Sequence, residues 1–166
     1  TGEVINQQKV SEARIGSISS GQTGAFLGTD AGELIKLDLK TFGVTKSAPF
    51  SLRNYRVVSD PIQNLVYACG RDANENVKVF DAKTLQALPL SFEIETDKNS
   101  EAFKFGLRAM TIAADTLLLM ADYQQVIRTY DLKNKLWTSP IFKGTAAAVY
   151  DLAVNRSGNQ LAIASG

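Results

Sequence analysis

The chain has 166 residues, 45% of them apolar, with 18 basic against 17 acidic side chains, one cysteine and no histidine. A balanced charge without a basic stripe argues against a nucleic-acid partner, and no apolar run approaches the ~20 residues that cross a bilayer. Without histidine there is no Ser-His-Asp or Cys-His nucleophile, no imidazole ligand for catalytic zinc and no ordinary switch near neutral pH. Carboxylate, lysine, tyrosine and one thiol remain, so no catalytic residue, metal ligand or cofactor is assigned.

In chain order, Thr1 to Ile5 reads as the tail of a hairpin turn with an outgoing strand, so the sequence is expected to open inside a repeat. Gln7 to Arg14 is a polar connector. Period-2 patterning predicts strands at Ile15–Ser19, Ala25–Thr29, Glu33–Leu37 and Val44–Lys46, with turns at 21–24 and 30–32 where Gly supplies positive φ. A second unit repeats the order with strands Tyr55–Ser59, Leu65–Gly70, Val77–Asp81 and Leu85–Leu88, Asp60-Pro61 ending the first of them. Cys69 sits in an apolar strand and reads as a small buried hydrophobe.

Residues 90–105 are an insertion with an alternating piece, Leu90 to Glu95, and a charged tip. The third unit has strands Arg108–Ile112, Leu117–Ala121, Val126–Tyr130 and Leu136–Thr138. Leu117 to Met120 is apolar throughout, which predicts burial on both faces. Two strands, Val149–Val154 and Leu161–Ala164, follow in a fourth unit. Sustained 3.6-residue periodicity occurs nowhere, so no helix of consequence is expected.

Three stretches share one text: LIKLDLKTFGV at 34–44, NVKVFDAKTLQAL at 76–88 and VIRTYDLKNKLW at 126–137. Each puts an aspartate, Asp38, Asp81 or Asp131, at a strand end before a turn. A carboxylate there accepts hydrogen bonds from backbone N–H groups two residues on, so these three are read as structural turn residues and not as acids or cation ligands. Lys40, Lys83 and Lys133 read as solvated turn residues. The aspartates recur at the ~40–50-residue period of propeller blades.

Gly144 to Gly158, ending Leu152-Ala153-Val154-Asn155-Arg156-Ser157-Gly158, resembles the opening of a WD40 blade, and Leu161 to Gly166 resembles its second strand. Asp30, Asp72 and Asp122 fall where that family has a loop aspartate; Leu37, Phe80 and Tyr130 stand in place of its Trp. Thr145 replaces the family's His, so its Asp-His-Ser/Thr-Trp network is incomplete and apolar packing carries more of the stability. The resemblance implies an all-β, partial WD40-like β-propeller of about three and a half blades, each of four antiparallel strands. Residues 1–166 then form one segment with units at 15–48, 55–89, 107–139 and 144–166, the remaining blades coming from the same longer chain or a second copy.

The resemblance further implies a non-enzymatic scaffold for protein–protein interaction in a larger assembly. The alternative is a propeller enzyme or small-ligand or metal sensor with its site at the central channel. Exposed aromatic and arginine side chains where units begin are the partner-binding candidates: Arg53, Tyr55, Phe105, Arg108 and Tyr150. A chain without disulfides fits an intracellular location, cytoplasmic or nuclear.

Overall fold

A computed structural model describes residues 7–50, 54–70, 77–89, 107–122, 126–143 and 147–166. These form thirteen strands, and among them there is no helix. The first sheet is β1 (Ile15–Gly21), β2 (Gly24–Thr29), β3 (Leu34–Leu37) and β4 (Val44–Lys46), each antiparallel to the next. The second is β5 (Asn54–Asp60), β6 (Leu65–Gly70) and β7 (Val77–Asp81). The third is β8 (Leu107–Ala113), β9 (Leu117–Asp122), β10 (Val126–Asp131) and β11 (Leu136–Lys143). The fourth pairs β12 (Val149–Val154) with β13 (Leu161–Ser165).

Alternation explains how the sheets stack. On β6 and β7, Tyr67 and Cys69 share a face with Val79 and Val77 and meet Leu107, Met110, Leu118 and Met120 of the third sheet. The opposite face, Val66, Ala68 and Phe80, meets Phe26 and Leu34 of the first. β9 does the same: Leu118 and Met120 enter the cluster shared with the second sheet, while Leu119 and Ala121 pack with Val149 and Leu152 of the fourth. Both faces of Leu117–Met120 are therefore covered, as its unbroken apolar run predicts. Burial pushes the Cys69 thiol up to about 12, leaving it neutral and unreactive.

The opening strands β1, β5, β8 and β12 lie next to one another at one edge of the stack. β5 ends its sheet, and its outward N–H groups need acceptors. The first sheet supplies them: Val57 N–H donates to Ser17 Oγ (2.9 Å) and Ser59 N–H to Ser19 Oγ (3.0 Å). At the β1–β2 hairpin, Gly24 has φ 153°, and a Cβ there would lie 2.3 Å from the Leu37 carbonyl oxygen.

Three sequence expectations need correction. Leu85–Leu88 does not form a fourth strand: Leu85 takes φ 58°, turns its side chain into the core, and only Ala87 bridges to Phe80. β11 runs past Thr138 to Lys143, because an edge strand tolerates Pro140 and an irregularity opposite Ile127 to Thr129 absorbs the extra residues. β5 extends to Asp60, a buried residue whose Oδ1 accepts from the N–H groups of Ile62 and Gln63. Leu90 to Glu95 lies outside the described residues.

Candidate functional site

Each opening strand carries one residue more than its partner, and at the same place. The register skips Gly16 on β1, Tyr55 on β5, Arg108 on β8 and Tyr150 on β12. A bulge of this kind leaves one residue outside the ladder and re-aims its side chain. Four bulges on four neighbouring strands thus form a row along one rim. Three of the five partner-binding candidates are themselves the bulged residues.

Arg108 and Tyr150 meet there. The guanidinium carbon of Arg108 lies 3.9 Å from the centroid of the Tyr150 ring, a face-on cation–π stack. Tyr150 remains 45% exposed despite the contact. The residue after each bulge adds a second layer. Arg56, following Tyr55, forms an ion pair with Asp151, following Tyr150. That pair joins the second sheet to the fourth. The equivalent residue on β8 is the fully buried Ala109. Asp151 Oδ1 also accepts from the N–H of Leu152 (2.7 Å).

Of the other candidates, the backbone of Tyr55 occupies the β5 bulge, one strand from Arg108, while Arg53 and Phe105 lie outside the described residues. Arg56 and Asp151 were not singled out from the sequence. The signal was available in the repeat itself: opposite charges at one strand offset in units two and four, with alanine between.

The turn aspartates sit at the other end of the unit. Asp38 Oδ1 accepts from the N–H groups of Lys40 and Thr41 (both 2.8 Å), and Asp81 Oδ1 from those of Lys83 (2.9 Å) and Thr84 (2.7 Å). Asp131 Oδ1 accepts from Lys133 and Asn134 (both 2.8 Å). The backbone N–H groups of Thr41, Thr84 and Asn134 in particular hold the three carboxyls below the usual carboxylate value. Four residues after each aspartate, Phe42, Leu85 and Lys135 all adopt positive φ, between 55° and 58°. These carboxylates are consumed by their own turns. Among the described residues, no three His, Cys, Asp or Glu side chains gather to hold a metal ion.

No family model and no curated protein sequence matches the chain. Among solved structures it is similar to the crystal structure of the computationally designed Ika4 protein, with a TM-score of 0.71 at 14% identity over 99% of both chains. At that identity the likeness concerns the fold alone.

Proposed function

We propose that this chain is a WD40-like propeller segment acting as a non-enzymatic platform for a protein partner. The bulged rim is its contact face. The observation that carries this reading is the Arg108–Tyr150 stack. A partly exposed tyrosine held by an arginine is pre-ordered at little further entropic cost on binding, and both residue types are enriched where interfaces concentrate their energy. The Arg56–Asp151 pair ties the second sheet to the fourth along the rim, which suits a rigid surface.

Successive sheets stacked through three apolar clusters support the radial arrangement, with further blades supplied by a longer chain or a second copy. β13 favours such completion: it has no outer neighbour among the described residues, and its Ile163 is 38% exposed. The test is a Tyr55→Ala/Arg108→Ala/Tyr150→Ala variant with an unchanged circular dichroism spectrum. It should lose the proteins that co-purify stoichiometrically with the wild-type chain. If every one of them is retained, the rim is not the contact face.

A further inference from the structure

With the four opening strands aligned on their bulges, the second residue after the bulge is Ile18 on β1, Val57 on β5, Met110 on β8 and Leu152 on β12. Three of these are buried against the sheet before: Val57 shares a cluster with Phe26, Met110 with Tyr67 and Leu152 with Leu119. Phe26, Tyr67 and Leu119 in turn hold one register position, each on a second strand opposite the residue that follows (Ser19, Val58 and Thr111). Each opening strand thus sits mainly on the first two strands of the preceding sheet. Ile18 does not. It is 64% exposed, and Ile15, at the place of the buried Leu107 and Val149, is 38% exposed. On the same face Leu27 and Ile35 are buried, so it is along β1 that large apolar side chains are bare.

The matching surface lies at the other end of the chain. β12 and β13 are a first and a second strand, and among the described residues no sheet lies beyond them. Leu152, Val154 and Leu161 turn toward the third sheet, which leaves Ala153, Ala162 and Ala164 exposed on the opposite face. Ala162, opposite Ala153, holds the position of Phe26, Tyr67 and Leu119. The two bare surfaces are therefore the two halves of a contact that the chain already makes three times, with bulk on one side and small residues on the other. The polar contact has its counterpart as well. Ser17 Oγ accepts from Val57 N–H; Asp151, a carboxylate, stands at the Ser17 position and Ile18 at that of Val57. We infer that the Ile15–Ile18 edge of the first sheet docks on the Ala153–Ala162–Ala164 face of a second copy of this chain, an inference that rests on reading the sheets as propeller blades. Made once in each direction, the contact joins two copies about a twofold axis. Their eight sheets fall within the ~4–8 blades over which propellers close.

The experiment is sedimentation velocity on the whole chain, which should run as a dimer. Ile18→Asp alters a side chain that is exposed within one copy, and should raise the dissociation constant of the dimer by roughly a hundredfold. Ala162→Glu should do the same from the other side, and circular dichroism shows whether each variant stays folded. Orientation is read with a short bismaleimide, to which the buried Cys69 is inaccessible. Ile18→Cys mixed with Ala162→Cys should give a cross-linked dimer that neither variant gives by itself. A monomeric chain, an assembly larger than a dimer, a dimer untouched by folded Ile18→Asp, or cross-linking of Ile18→Cys to itself as readily as in the mixture overturns the inference. A monomer whose rim variant still loses its bound proteins would overturn this inference alone, and leave the further blades to a longer chain. An intact dimer whose rim variant keeps every bound protein would do the reverse.

Discussion

At the hairpin closing its third strand, each of three units places an aspartate, Asp38, Asp81 and Asp131, followed four residues later by a left-handed residue. At the bulge of its first strand the four units hold no common residue but three types: Gly16, Tyr55, Arg108 and Tyr150. Both features are backbone devices repeated at fixed offsets. The hairpin needs a particular side chain, because two N–H groups must find an acceptor. The bulge needs none, because its extra residue leaves the ladder and any side chain can project from it. Residue identity at the turn is therefore spent on folding, whereas at the bulge it is available for contact.

Where stacked sheets rather than turns hold a protein together, truncating its core costs more than truncating a turn. Leu118→Ala, which empties the cluster between the second and third sheets, should cost about 2–5 kcal/mol by urea denaturation. A loss no larger than that of a turn variant would invert the ranking. Next in size, Asp81→Ala leaves the N–H groups of Lys83 and Thr84 without their acceptor and should cost on the order of 1 kcal/mol.

The same carboxylates set an acid limit. Their folded values are depressed, so the stability they add is complete above the unfolded value near ~3.9 and is lost as pH falls through the folded values. Thermal melts from about pH 5 to pH 3 should show this loss, and a smaller one in Asp81→Ala. An identical acid profile in the variant would detach Asp81 from it.

Lys135→Gly acts in the opposite direction. Lys135 is exposed at φ 55°, where a Cβ is unfavourable, so glycine should raise stability by roughly 0.5–1 kcal/mol. The rim itself should show an effect of similar small size. A double-mutant cycle on Arg108 and Tyr150 should return a coupling of about 0.5–1 kcal/mol in stability. A coupling of about 2 kcal/mol or more, the size of a desolvated pair, would mean that the stack serves the fold, and the contrast between the two ends of the unit would fail.

Strands and turns were legible in the sequence because their causes are local. Period-2 alternation marks β7 and β10, an unbroken apolar run marks β6, and Asp-x-Lys followed by Thr or Asn marks the hairpins. Leu85 shows where local reading fails. Its pattern suits a strand, yet its left-handed backbone and its place beside Phe26 and Phe80 in the core keep it out of one. The candidate site was half legible. Arg108 and Tyr150 stand out as rim residues, but nothing local says that they touch.

By itself the sequence determined an all-β chain, the repeat, the turn aspartates and the double-faced burial of β9, since each depends on residues a few positions apart. Only the tertiary structure decided that Arg108 stacks on Tyr150 and that Arg56 pairs with Asp151. Those contacts join separate sheets, and their geometry follows from how the sheets stack and where each strand bulges, quantities that no short window of residues contains.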